Sequence, residues 1–277
     1  MIELGRYNTL SAERVSEFGM YLVDEEKTEV LLPNKLVPKD LNTGDQINVF
    51  IYKDHEHRLT ATTESPFIQE GEFACLETVA VTKFGAFLDW GLQKHLFCPL
   101  SEQKNDMEEG NDYVVFCYID EVTKRLAASS KIDKYLDNSN LEDLKEGDKV
   151  DILVCEPTDI GITVIVNNKH IGLLYNNEVF QRLSLGDEIK AYVKKIREDN
   201  KLDITLQKQG YQNVEPNAQK ILIALDENDG FMALNDKSEP EDIYAELEMS
   251  KKTFKKAIGA LYKQKLIEIK ETGIQLL

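Results

Sequence analysis

Residues 71–126 read GEFACLETVAVTKFGAFLDWGLQKHLFCPLSEQKNDMEEGNDYVVFCYIDEVTKRL, and this stretch decides the fold. Its glycines act as a ruler. Gly71, Gly85 and Gly110 are separated by 14 and then 25 residues. Gly5, Gly19 and Gly44 repeat both intervals upstream, and Gly147, Gly161 and Gly186 repeat them downstream. Each series then reaches a basic residue followed by leucine: Arg58-Leu59, Arg125-Leu126 and Lys201-Leu202. Matched intervals in three copies mean one small module used three times, and such a repeat has to be found before a fold is assigned. From residue 214 to residue 277 the pattern changes and becomes helical.

The third copy shows what one module is. Val150, Ile152 and Val154 alternate with polar neighbours, and so do Ile162, Val164 and Val166 after a turn at residues 157–161. His170 to Leu173 gives a third short run. Ile189, Ala191 and Val193 form a fourth, and Leu202, Ile204 and Leu206 a fifth. Period-two runs bounded by Gly, Asn and Asp are half-buried strands. Five of them in about 65 residues fit a small closed barrel, which hides its own edges. The fold class expected is mainly β with an α+β tail: three tandem five-stranded OB-type barrels and a smaller C-terminal module. The expected domains are 1–65, 66–138, 145–210 and 214–277, with residues 133–147 as a solvated linker. Each module is small enough to be marginal alone, so neighbours are expected to stabilise one another.

The formal net charge is −17, and residues 1–140 carry 14 basic against 25 acidic side chains. Such a balance argues against simple electrostatic wrapping of duplex DNA or an anionic membrane. Nucleic-acid binding by this chain has to rely on local basic spots and stacking. Cys75, Cys98, Cys117 and Cys155 form no C-x-x-C pair and read as free thiols of a reducing compartment. His55, His57, His95 and His170 stand in no zinc-ligand spacing. The N-terminus has no signal-peptide pattern and no apolar run is long enough to span a bilayer. A soluble, cytoplasmic protein without metal or cofactor is expected.

The second copy resembles the RNA-binding domain family named after ribosomal protein S1. The resemblance rests on Phe84-Gly85-Ala86-Phe87, preceded by Gly71 and followed by Gly110, Asp120 and Arg125. The motif recurs as Phe18-Gly19-Met20-Tyr21 in copy one and decays to Ile160-Gly161-Ile162-Thr163 in copy three. The resemblance implies an RNA site at Phe84, Phe87, Asp120 and Arg125 in copy two, and at Phe18, Tyr21, Asp54 and Arg58 in copy one. The family's histidine position departs, falling near Leu32 and Cys98 and at Tyr175. In copy three the corresponding candidates are Tyr175, Lys194 and Lys201.

The residue types fit that chemistry independently. Stacking an unpaired base on an aromatic ring contributes about 1–3 kcal/mol. Positions i and i+3 of a regular strand face opposite ways. Both aromatics therefore share a face only if the glycine bends the chain or the first aromatic sits in the turn; otherwise one of each pair is core. A second aromatic column comes from the ruler: Phe50, Phe116 and Tyr192 align, with Tyr52, Tyr118 and Lys194 beside them. These rings either stack bases or pack one module on the next.

In the tail, Ala218, Ile221, Leu222 and Leu225 recur at helical spacing. Ser238-Glu239-Pro240-Glu241 reads as a helix start with a serine cap. Ser250 opens a third helix with Phe254, Ile258, Leu261 and Leu266 on its apolar face, and residues 267–276 read as a hairpin. Three helices and a β wing resemble a winged helix-turn-helix domain. Residues 250–270 hold seven lysines against one glutamate, whereas residues 214–249 hold 2 basic and 10 acidic groups. Lys251, Lys252, Lys255, Lys256 and Lys263 thus form either an anion-facing helix or a solvated face balancing acidic neighbours. The order of modules resembles the conserved virulence factor B family of bacterial RNA-binding regulators. That resemblance implies single-stranded RNA as partner and post-transcriptional influence on gene expression. A protein-interaction scaffold and a DNA-binding regulator acting through the winged helix are the alternatives. No catalytic motif is present in the sequence.

Overall fold

The structure, a computed structural model, describes residues 1–54, 56, 58–179, 181–206 and 215–277. His55, His57, Phe180 and residues 207–214, which join the last barrel to the tail, lie outside the described residues.

Barrel one consists of β1 (Tyr7–Val15), β2 (Gly19–Val23), β3 (Glu29–Pro33), β4 (Gln46–Lys53) and β5 (Leu59–Thr62). It closes in the order β1-β2-β3-β5-β4, β5 lying parallel to β3 and antiparallel to β4. Barrel two follows the same path through β6 (Phe73–Thr82), β7 (Gly85–Leu88), β8 (Leu96–Pro99), β9 (Asp112–Ile119) and β10 (Leu126–Ser129). Its seam is looser, because β8 and β10 lie side by side as the two edges of the sheet. Barrel three closes fully with β11 (Lys149–Pro157), β12 (Gly161–Val166), β13 (His170–Tyr175), β14 (Glu188–Ile196) and β15 (Leu202–Thr205). A turn of 3₁₀ helix follows the third strand each time, at Asn34–Leu36, Leu100–Glu102 and Asn176–Glu178.

The glycine ruler is a set of backbone bonds. The first glycine of each copy donates to the fourth strand: Gly5 to Ile51, Gly71 to Cys117 and Gly147 to Val193. The last donates to the first strand: Gly44 to Ala12, Gly110 to Thr78 and Gly186 to Val154. The middle glycine opens the second strand against a carbonyl. A Cβ at Gly19, Gly85 or Gly161 would run into the carbonyl oxygen of Leu32, Cys98 or Leu174. Gly19 and Gly85 also hold φ near +153°, which side chains rarely adopt.

Each barrel has its own apolar core, built on Leu22, Leu32 and Ile51, on Leu76, Leu88 and Leu96, and on Val164, Leu174 and Ile204. The second aromatic column serves packing. Phe50 is fully buried and meets Trp90 of barrel two edge-on, ring centroids 5.7 Å apart. Phe116 stacks on Tyr135 at 3.9 Å. Phe116 and Tyr135 also pack on the cluster that joins barrels two and three through Phe73, Leu153 and Ile165. The Tyr192 hydroxyl donates to Asp226 of the tail at 2.7 Å, and Lys149 pairs with the same carboxylate at 3.2 Å. One register position thus joins each module to the next. Burying a ring such as Phe50 contributes about 1.5–3 kcal/mol, which is substantial for modules of this size.

Two local expectations need correction. Residues 133–147 are not a solvated linker. Tyr135 and Leu136 pack on the inter-barrel cluster, Leu144 is buried, and Asn138 Nδ2 donates to the carbonyls of Ile171 and Asn200. Apolar side chains spaced through this acidic stretch pin it down. In the tail, α1 (Pro216–Glu227), α2 (Pro240–Leu247) and α3 (Lys251–Lys263) pack with the sheet of β16 (Phe231–Met232), β17 (Ile267–Lys270) and β18 (Gly273–Leu276). The cap of α2 is Glu239, with Pro240 as the first helical residue; the Ser238 hydroxyl instead accepts the Asn235 N–H. Ser250 does cap α3, its side chain accepting from the Thr253 N–H. Leu266 lies past the end of α3, which stops at Lys263, but still packs on the tail core.

Candidate nucleic-acid interface

The turn before the second strand decides what each barrel displays. In barrel two, the Thr82 hydroxyl accepts from the Phe84 N–H at 3.3 Å and donates to the Gly85 carbonyl at 2.9 Å. Ser16 does the same for Phe18 and Gly19, and Thr158 bonds Gly161 in barrel three. A short hydroxyl side chain thus folds the backbone into a tight turn. The residue before the glycine is thrown to solvent: Phe18 is 64%, Phe84 69% and Ile160 62% exposed. The first aromatic sits in the turn rather than on the strand, so it can share a side with the aromatic three residues on. Ser16, Thr82 and Thr158 carry the ruler's own spacing and were legible as such, yet sequence reading passed over them.

In barrel two the expected residues come together. Phe84, Phe87, Asp120 and Arg125 all line one groove of about 710 Å³. Phe87 is half-buried and pairs across the hairpin with Phe97, ring centroids 5.1 Å apart. Lys94 and His95 stand on the same groove, and Lys83 lies 5.0 Å from the Phe84 ring centroid. Phe97, Lys94 and His95 were missed from sequence. Lys94 and His95 belong to residues 89–95 between β7 and β8, a connection longer than its counterparts at 24–28 and 167–169. Burial and then the neighbouring Arg125 charge hold the Lys94 pKa below the usual lysine value. Lys94 and Arg125 thus stand near each other on one rim of the groove, with Asp54 also acting on Lys94. Asp120 also has a structural task. Its Oδ1 accepts the Thr123 N–H and hydroxyl, both at 2.7 Å, and so holds the hairpin that presents Arg125.

Barrel one brings its candidates together in another way. Arg14 lies over the Tyr21 ring at 3.7 Å and forms two hydrogen bonds to Glu29. Arg58 pairs with Asp54 at 2.8 Å and with Glu56 at 2.6 Å. The ring is covered and the cation is neutralised within the barrel. In barrel three, Lys194 pairs with Glu178 and sits over Tyr175, whose hydroxyl donates to Asp203 at 3.2 Å. Lys201 pairs with Asp199 at 3.0 Å.

On α3, Lys252, Lys255, Lys256 and Lys263 are exposed, while Phe254, Ala257, Ile258 and Leu261 fill the tail core. Lys255 reaches Asp236 only at 3.9 Å, and Lys251 donates to the Lys237 carbonyl at 3.4 Å. Among the described residues, Lys252, Lys256 and Lys263 have no carboxylate partner. Among the described residues, the acidic half of the tail meets this face at Asp236 beside Lys255. Among the described residues no three His, Cys, Asp or Glu side chains gather to hold a metal, and no helix is long and apolar enough to cross a membrane.

Known proteins resemble this chain in parts and as a whole. Residues 4–64 match the S1 domain, and residues 219–276 match the CvfB-like winged helix domain. Both are nucleic-acid-binding types of domain rather than catalytic ones. The uncharacterized protein YitL of Bacillus subtilis is 29% identical over 267 residues, which is 94% of this chain and 89% of that protein. Conserved virulence factor B of Staphylococcus epidermidis is 26% identical over 241 residues, 84% of this chain and 80% of that protein. A crystal structure from Streptococcus pneumoniae, described as a multidomain protein with nucleic acid binding domains, is 24% identical. It covers 99% of this chain and 98% of its own, with a TM-score of 0.41.

Proposed function

We propose that this chain, which is similar to the conserved virulence factor B and YitL proteins, is a non-catalytic, cytoplasmic protein that binds single-stranded RNA. The observation that carries the reading is the groove of barrel two, where Phe84, Phe87 and Arg125 meet on one surface. Rings accept unpaired bases without regard to sequence, and the rim cations accept phosphate. Duplex bases are stacked and cannot lie on those rings. The lysine face of α3 extends the basic surface, so RNA longer than the groove gains further phosphate contacts. Binding of this kind supports a post-transcriptional regulator of gene expression.

The test is a titration of labelled single-stranded RNA against the whole chain at several salt concentrations, with duplex DNA as competitor. The expected logarithmic slope is about −0.7 for each phosphate contacted. Replacing Lys252, Lys256 and Lys263 by Ala lowers affinity several-fold and makes the slope shallower by about 2. Binding indifferent to salt, or a preference for the duplex, overturns the proposal. The second outcome favours a DNA-binding regulator instead, a reading supported by the exposed lysines of α3.

A further inference from the structure

The groove of barrel two has a wall that barrel two does not supply. Tyr52 and Lys53, at the end of β4 in barrel one, line it together with Phe84 and Phe87. Tyr52 packs on the core cluster of barrel two and is only half-buried. Lys94 Nζ donates to the Lys53 carbonyl at 2.9 Å, tying the long connection of residues 89–95 to barrel one. That connection is fixed again at Trp90, whose indole N–H donates to the Lys94 carbonyl while its ring makes a T-shaped contact with Phe50. Leu126 adds a third tie, since it packs so closely on Gly5 that a Cβ there would collide with it.

The next junction along the array shows what is special here. Tyr118 occupies in barrel two the position that Tyr52 occupies in barrel one. There Lys134 and Tyr135 sit beside the ring, and Tyr135 also stacks on Phe116. The covering residues come from the connection between β10 and β11, residues 130–148. Between β5 and β6 only residues 63–72 intervene, and Tyr52 is left facing a groove.

We propose that the RNA-binding unit is the pair of barrels one and two, with Tyr52 stacking a base and Lys53 contacting a phosphate on the strand held by Phe84 and Phe87. This rests on the reading of the groove as the RNA site. Barrel one then acts in binding through its junction face rather than through its own Phe18 and Tyr21 surface. The pairing also explains why the connection carrying Lys94 is long in barrel two alone.

The test uses the full chain and fluorescein-labelled oligo(U) and oligo(A) of 12 nucleotides, followed by anisotropy. Trp90 is the sole tryptophan and lies on the groove, so its emission reports occupancy independently. Tyr52→Leu, which keeps apolar bulk at the junction, is expected to weaken binding about tenfold. Lys53→Gln is expected to weaken it about threefold and to make the salt slope shallower by about 0.7. Lys35→Gln, an exposed lysine of barrel one away from the groove, is the control and leaves both unchanged. Wild-type thermal midpoints for the variants establish that the fold is intact; a lowered midpoint moves the decision to the salt slope of Lys53→Gln. If Tyr52→Leu and Lys53→Gln bind like wild type while Phe84→Ala with Phe87→Ala does not, the composite site is wrong and the RNA reading stands. If all of them bind like wild type, both fall.

Discussion

Barrels one and two share a ruler, a turn and an exposed phenylalanine, yet their cations stand in different surroundings. In barrel one Arg14 covers Tyr21 and is held by Glu29, and Arg58 is shared between Asp54 and Glu56. In barrel two Lys94 donates to a backbone carbonyl beside Arg125, on a groove floored by Phe87 and Phe97. The backbone bonds of the ruler tie the first strand of each barrel to the fourth, and they recur in all three copies. The side chains that make a surface attractive to a polyanion are not required for closure. Repetition therefore guarantees the scaffold and says little about which copy binds.

The largest expected effect separates the two barrels directly. Phe84→Ala combined with Phe87→Ala removes stacking worth about 1–3 kcal/mol for each base, so affinity for single-stranded RNA falls by at least an order of magnitude. Phe18→Ala combined with Tyr21→Ala changes it less than about twofold, because the Tyr21 face is already occupied. Equal losses in the two double variants would erase the distinction between the barrels.

Next in size is a stability effect within barrel two. Gly85→Ala places a Cβ against the Cys98 carbonyl at φ +153°, and is expected to cost about 2–3 kcal/mol. Gly110→Ala meets nothing within 4 Å at φ +80° and is expected to cost about 1 kcal/mol. Thermal unfolding of both variants checks the order. A Gly110→Ala protein as unstable as Gly85→Ala would show that φ, not the neighbouring strand, fixes the ruler.

Much of this was legible in the chain because it is local. Strand alternation, glycine intervals and the Ser250 cap depend on a few consecutive residues. So did the presence of aromatic residues at the turn, although the hydroxyls that build that turn went unread. What sequence reading missed depends on partners far along the chain. Phe97 looks like any strand residue until β7 pairs it with Phe87. Residues 133–147 look solvated by composition, but Tyr135 finds Phe116 and Leu136 joins the same cluster. Lys94 and His95 could not be placed on the site because their connection is longer than its counterparts in the other copies and does not align with them.

A smaller effect concerns pH. The hairpin between the fourth and fifth strands carries a low-pKa aspartate in each barrel. The Thr123 N–H holds Asp120 below the usual range; burial raises Asp54, but its bonds to Arg58 outweigh that; Lys201 lowers Asp199. A carboxylate with a folded pKa below its unfolded value binds fewer protons when folded. Its stabilisation is complete above the unfolded value, about 3.9, and is lost as pH falls further. The thermal midpoint is therefore expected to be flat near neutrality and to drop below about pH 4. Asp120→Asn should flatten that drop in barrel two, read by hydrogen exchange at the Lys124 and Arg125 amides, and leave the barrel-one hairpin unchanged.

The smallest effect converts one barrel toward the other. If the Phe18 and Tyr21 face of barrel one is silent because its cations are neutralised, then Glu29→Gln with Glu56→Gln should partly release Arg14 and Arg58. Exposed ion pairs contribute only about 0–1 kcal/mol, so the fold should tolerate the change. Asp54 still holds Arg58 and Arg14 still covers Tyr21, which limits the gain to about twofold in RNA affinity. The salt slope is the sharper readout, because each newly engaged phosphate steepens it by about 0.7 whatever the affinity. A steeper slope in this variant, lost again on adding Arg58→Gln, would show that charge pairing decides which barrel binds. An unchanged slope would place the difference in the groove itself, in Phe97 and the long connection that barrel one lacks.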